Sequence, residues 1–193
     1  MIVLRILAGI VFFMQLPVPL YWFVLHPGMR YWRGHRKAGY IVALACSWLP
    51  VTVCLIVFRS ALFSGARPSA PSIILGLGMI AFEAWVFTRV RRDLGDARLV
   101  GHTELLGGGE IANRGVYARI RHPRYLASFL ALVGACLLAA TCLMWTIAAI
   151  WTVLTFAAIL MEEREMRARF GASYEVYARR VPRFLPSFIR ARN

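Results

Sequence analysis

The chain has 193 residues, of which 60% are hydrophobic and 17% charged, a balance too apolar for an ordinary soluble domain of this length. The net charge of +14 would point to nucleic acid in a soluble protein. Here the basic residues crowd beside apolar runs and form no face of their own, which sets nucleic acid aside and points to a bilayer.

A membrane-spanning helix needs about 20 mostly apolar residues, and five windows supply them: 2–25, 38–58, 71–90, 125–142 and 144–161. The first carries Arg5 and then a long apolar run without a small-x-small cleavage site, so it reads as a retained helix and not a removed signal. Pro17 and Pro19 inside it predict a kink without a break, because neighbouring helices can re-satisfy the freed carbonyls. The third window holds Glu83. A carboxylate at membrane depth faces the bundle interior or a cavity, which makes Glu83 a candidate catalytic residue; the alternative is a neutral or arginine-paired glutamate near the helix end. Gly107, Gly108 and Gly109 follow, with no Lys-Ser/Thr behind them and no strand before them, and read as a flexible connector. Only 141–145 separates the last two windows, which predicts a tight antiparallel hairpin. The four cysteines, Cys46, Cys54, Cys136 and Cys142, all lie in apolar stretches without C-x-x-C spacing; they read as buried inert thiols, and no metal site is expected.

Orientation follows from the Lys and Arg count, since positive loops stay cytoplasmic. Loop 26–37, segment 89–124 and the tail after Met161 together hold 20 of these residues, against three (Arg5, Arg59 and Arg67) on the other side. The expected arrangement is an all-α integral membrane protein with five transmembrane helices. Its N-terminus is extracytoplasmic, its C-terminus cytoplasmic, and its location a prokaryotic inner membrane. Both long polar segments then share the cytoplasmic face, and they carry eight of the nine carboxylates.

Two stretches stand apart from this helix-building background. One runs from Gly115 through Tyr117, Arg121, His122 and Pro123 to Tyr125, just before the fourth window. The other runs from Glu162 and Glu163 through Phe170, Gly171, Tyr174 and Tyr177 to the segment Val181-Pro182-Arg183-Phe184-Leu185-Pro186, just after the fifth. A hairpin between them would place the two side by side. His122-Pro123 reads as a helix start whose free N–H groups can receive an anion such as a carboxylate. Glu162 and Glu163, leaving a helix at the membrane surface, can hold an ammonium group. Each feature also has a plain structural reading. Glu163 with Arg167 and Glu165 with Arg169 are i,i+4 pairs, His122 can cap a carbonyl, and Phe170, Tyr174 and Tyr177 form a helical stripe that packs as readily as it binds.

The G-x-Y-x-x-x-R-H-P-x-Y stretch, the five-span layout and the E-E…F-G-x-x-Y-x-x-Y…V-P-R-x-x-P tail together resemble the isoprenylcysteine carboxyl methyltransferase-like membrane methyltransferases, related to phospholipid N-methyltransferases. The resemblance covers roughly residues 88–187, leaving 1–87 as an N-terminal three-helix part of one membrane domain, 1–193. It implies S-adenosylmethionine as cofactor, held between the two blocks, with an apolar or lipid-like acceptor arriving through the membrane. It also implies that Gly115, Tyr117, Arg121, His122, Pro123 and Tyr125 line the cofactor site from one side and Glu162, Glu163, Tyr174 and Tyr177 from the other. If the acceptor needs a base, His122 or Glu83 is the candidate.

Two positions depart from the pattern. Carboxyl methyltransferases of this family often carry an arginine shortly before the paired glutamates, whereas Ala157 to Met161 precedes Glu162 here. The aromatic after the Leu-Gly turn is absent too, since Leu94-Gly95 is followed by Asp96-Ala97-Arg98. The implication of cofactor use therefore does not extend to a prenylcysteine carboxylate. Carboxylate, thiol and amine acceptors stay open, and the competing readings are a non-catalytic membrane adaptor with the same fold and a membrane NADPH-dependent reductase.

Overall fold

The computed structural model describes residues 1–95 and 110–185. The glycine run 107–109, the departure at Asp96-Ala97-Arg98 and Pro186 of the tail lie outside the described residues. Within them the chain is helical, with no strand. In order the helices are α1 (Ile2–Gln15), α2 (Pro17–Leu25), α3 (Met29–Gly34), α4 (Arg36–Val57), α5 (Arg59–Phe63) and α6 (Ala70–Leu94), then a 3-10 turn (Gly115–Ala118), α7 (Pro123–Ala139), α8 (Cys142–Phe170) and α9 (Ala172–Arg180).

Four rods are long and apolar enough to cross a membrane: Ile2–Leu25, Arg36–Val57, Ala70–Leu94 and Cys142–Phe170. The first comprises α1 and α2. Leu16 keeps helical angles (φ −59°, ψ −38°), so the chain passes into Pro17 without leaving the helix, and Pro17 takes a first-turn position where no N–H is needed. Ser69 caps α6 through the N–H of Ser72 at 3.3 Å, and Arg91 and Arg92 in its last turn suit the negative end of the helix dipole.

The fourth window turns out shorter than expected. α7 has 17 residues, about 25 Å at 1.5 Å per residue, and is ended by Ala140 in the left-handed conformation (φ 54°). Ala140 and Thr141 alone join it to α8. Its most extensive packing is nevertheless along α6, and next along α1, more than along its chain neighbour α8. The cause is a glycine on each side: a Cβ on Gly134 would stand 2.6 Å from the Gly76 carbonyl oxygen, and one on Gly76 would stand 2.8 Å from that of Gly134.

Contacts at the helix ends sort the connections into two sets. At one end, Arg5 Nη2 donates to the Gly65 carbonyl (2.7 Å) and Thr141 Oγ1 to the Leu62 carbonyl (3.1 Å). At the other, His26 and Arg33 reach Glu165, Arg121 reaches Glu163, and the Val116 N–H donates to Asp93. The segments that carry the basic majority of the sequence thus share one end of the bundle. Between the ends, Ala8, Phe12, Leu132, Leu138 and Met144 are buried in the main core, while Ile41, Leu49, Ile74 and Val153 are exposed. Such apolar outer surface belongs to a protein solvated by lipid, and the chain is an integral membrane protein. Of the cysteines read as buried, only Cys136 is; Cys46, Cys54 and Cys142 lie on exposed positions of the apolar helices.

Candidate active site

At the basic end, α6 and the 3-10 turn are pinned together by the Val116 N–H, which donates to Asp93 Oδ2 at 2.8 Å. The pin depends on Gly115. Its φ is +56°, and a Cβ there would run into the Asp93 carboxylate. Val116 and Tyr117 then pack on Val86, Val90 and Ala127, which fixes the turn on α6 and α7.

The chain continues into the start of α7 alongside the tail. The Arg121 N–H donates to the Pro182 carbonyl (2.8 Å) and the His122 N–H to the Arg183 carbonyl (3.0 Å). These two bonds fix the approach to α7 against the tail, one step before the helix's first turn. Phe184 seals the seam, packing with Val18, Tyr125 and Ile159 and lying 6.0 Å from the His122 ring, centroid to centroid.

Glu163 organises the whole assembly. Its side chain is fully buried. Oε1 accepts from Arg121 Nη1 (2.7 Å) and Arg183 Nε (3.0 Å) and lies 3.2 Å from His122 Nε2; Oε2 accepts from Arg183 Nη2 (2.8 Å) and Arg167 Nη2 (3.4 Å). One carboxylate thus ties α8 to the loop before α7 and to the tail after α9. With both oxygens engaged it has no capacity left for a ligand's ammonium group. The bonds to Glu163 raise the pKa of Arg183 above the ordinary arginine value.

Glu162, one residue earlier, has the opposite situation. It faces a cleft of about 960 Å³, open mouth included, and accepts from the Tyr125 hydroxyl at 3.0 Å. Of the ten residues expected around a cofactor, seven line this cleft: Tyr117, Arg121, His122, Tyr125, Glu162, Tyr174 and Tyr177. Gly115, Pro123 and Glu163 do not; they shape the turn, start α7 and clamp the elements. Arg121 Nη1 also reaches the Tyr174 hydroxyl (3.4 Å), and the Tyr177 hydroxyl donates to the Tyr117 carbonyl (2.9 Å). Burial pushes both the Tyr174 and Tyr177 phenols above their ordinary range, so they stay protonated donors at neutral pH.

Glu83 stands elsewhere. It does not line the cleft, and its Oε1 accepts from Gln15 Nε2 at 3.3 Å between α6 and α1, where Trp151 Nε1 also donates to the Gln15 carbonyl (2.8 Å). Conversely, the cleft includes Trp22 from α2 and His26 just after it, and Glu165, Met166 and Arg169 from α8, none of which the sequence reading places there. Glu165 pairs most closely with His26 (2.6 Å), with Arg169, its i,i+4 neighbour, acting on it only through its charge. One signal was present: a histidine at the end of the first window, on the same face as both blocks.

The sequence pattern of the phospholipid methyltransferase family matches residues 71–173, from the first turn of α6 into α9; it takes in the first block of the cleft and the start of the second at Glu162 and Glu163, and ends before Tyr174 and Tyr177. A nickel-cobalt-cadmium resistance protein, NccN, from Alcaligenes xylosoxydans xylosoxydans is 30% identical over 77 residues. That stretch is 40% of this chain and 36% of the relative, so the similarity spans about a third of the relative's length. No solved structure matches the chain.

Proposed function

The chain belongs to the phospholipid methyltransferase family, and we propose that it transfers a methyl group from S-adenosylmethionine to an apolar or lipid-like acceptor at the cytoplasmic membrane face. The observation that carries the reading is the cleft itself, where both sequence blocks converge at the basic end of the bundle with the Glu162 carboxylate and the Arg121 guanidinium both in its wall.

The donor set suits a zwitterionic amino-acid ligand with a flat apolar part. Glu162 can receive its ammonium group. The Nε of Arg121, buried and without a hydrogen-bond partner among the described residues, can meet its carboxylate. Trp22, Tyr117, Tyr174 and Tyr177 offer aromatic surface for a ring. Bound there, the cofactor supplies a methyl group on a positively charged sulfur. The protein's part is to hold donor and acceptor in line about 3–3.5 Å apart and to keep water out, and no covalent enzyme intermediate is required. His122, fixed by Glu163 and Phe184, is the cleft residue placed to orient the ligand from the α7 side.

The membrane frame of this reading is five crossings with the C-terminal blocks cytoplasmic. The alternation of helix ends and the 20-to-3 division of basic residues support it. α7, at about 25 Å, can cross where it is sheathed by α6 and α1 or where the bilayer thins locally.

The test is a binding measurement. Glu162→Gln should weaken S-adenosylhomocysteine affinity by about 1.5–3 kcal/mol, the range for a hydrogen bond to a charged group, by isothermal titration of the purified protein. Glu175→Gln, on the exposed face of α9, should leave it unchanged. Wild-type affinity in a folded Glu162→Gln protein would place the ligand elsewhere.

A further inference from the structure

His26 lies outside the segment that matches the family, and the reading above leaves it without a task. Its side chain is 5% exposed. The ring stacks on Trp22, centroids 5.2 Å apart and planes 27° apart, and Nδ1 lies 2.6 Å from Glu165 Oε2. Nε2 is buried and has no hydrogen-bond partner among the described residues. A histidine serving packing alone would satisfy this nitrogen with a carbonyl or expose it, because an unpaired buried polar atom is destabilising. Instead the ring sits in the wall of the cleft that holds Tyr125 and Glu162.

A carboxylate that fixes one ring nitrogen sets the tautomer of the other. With Nδ1–H donated to Glu165, Nε2 carries a bare lone pair that can take a proton. This arrangement is that of a general base with its orienting group.

We propose that His26 is the base of the reaction, with its Nε2 receiving the proton that an amine or thiol acceptor sheds, and that Glu165 is its positioning residue. The proposal rests on the methyl-transfer reading. In balance, one carbon–sulfur bond breaks with its electron pair left on sulfur. One bond forms from the acceptor's nitrogen or sulfur lone pair to the methyl carbon. The displaced proton goes to Nε2 and leaves to water through the cleft mouth. The groups that set the field on this pair are Arg169 beside it on α8, Arg33 from α3 at 3.9 Å from Glu165 Oε1, and His122, Arg121, Arg124 and Glu162 across the cleft.

A carboxylate acceptor has no proton to shed, and this separates the base from a structural residue. Purified protein in lipid vesicles would be assayed for methyl transfer to dodecylamine, dodecanethiol and dodecanoate. The expected result for His26→Ala is a loss of 10²–10⁴-fold in kcat with the amine or thiol, partly restored by added imidazole. S-adenosylhomocysteine affinity should stay within about threefold of wild type, on the scale of a lost peripheral contact. His26→Gln keeps a donor for Glu165 and guards against misfolding; it should be as slow as His26→Ala and should not respond to imidazole. Independently of turnover, nitrogen NMR of the histidines at a pH that supports activity should show His26 with Nδ1 protonated and Nε2 bare. Undiminished amine or thiol transfer in either variant, transfer by wild type to dodecanoate alone, or a protonated Nε2 in the NMR would overturn the assignment. Failure of wild type to bind S-adenosylhomocysteine at all would instead remove the methyl-transfer reading beneath it.

Discussion

Glu163→Ala should destabilise the protein by about 3–5 kcal/mol, the cost of breaking a buried ion pair from one side. The reason is what it leaves behind. The Arg121 side chain is 10% exposed, so without the carboxylate its guanidinium stays buried with its closest anionic partner gone, next to the 5% exposed His122 ring and the half-exposed Arg183. For a chain of this size the melting temperature should fall by roughly 6–20 °C. Removing single partners provides the comparison. Arg183 and Arg167 are 38% and 42% exposed, so Arg183→Ala or Arg167→Ala should cost only about 1 kcal/mol, as solvent-screened pairs do. Thermal unfolding in detergent checks the order. If Arg183→Ala proved as damaging as Glu163→Ala, the tail would depend on something other than this buried carboxylate.

The second large effect concerns the acceptor. A lipid-like acceptor that enters sideways from the bilayer is first concentrated there, by about 0.8 kcal/mol for each CH₂. Four added methylenes contribute about 3 kcal/mol, so KM expressed as free aqueous concentration should fall roughly 100-fold from a short-chain acceptor to one four carbons longer, with little change in kcat. The cleft is suited to this route. It sits at the end of apolar rods, with Trp22, Leu94, Ile111 and Met166 in its wall. Binding from lipid gains nothing from hydrocarbon alone, so selection must come from fit and from the polar head. Methyl transfer by the protein in vesicles, compared across chain lengths of one head group, is the measurement. A KM independent of chain length would mean that the acceptor arrives through water.

Much of this architecture was legible before any coordinates, and for a simple reason. Lipid demands long apolar helices, and the basic residues mark one face, so four of the five windows correspond to helices that differ from them mainly in their ends. The windows misjudged what hydropathy cannot see. Hydropathy does not say that Gly134 meets Gly76 and turns α7 toward α6, and Ala140 ends α7 with a left-handed residue that no composition rule signals. In the site, seven cleft residues were visible because they lie in two dense motifs beside the last two windows. The division of labour between Glu162 and Glu163 was not. Adjacent residues on a helix point about 100° apart, and only the packed tail shows which one meets Arg183 and which meets open space. Glu83 drew notice as a lone membrane carboxylate, whereas its partner is Gln15, 68 positions away. His26 was missed because its partner Glu165 is 139 positions away, and no periodicity links them.

The claim that the cleft holds S-adenosylmethionine is tested most directly by titrating the detergent-purified protein with S-adenosylmethionine, S-adenosylhomocysteine and NADPH in parallel. The expected result is saturable binding of the first two at one shared site, with each displacing the other, and no binding of NADPH. Saturable NADPH binding with none of S-adenosylhomocysteine would contradict it and favour a reductase, and binding of none of the three would contradict it in favour of a non-catalytic membrane protein.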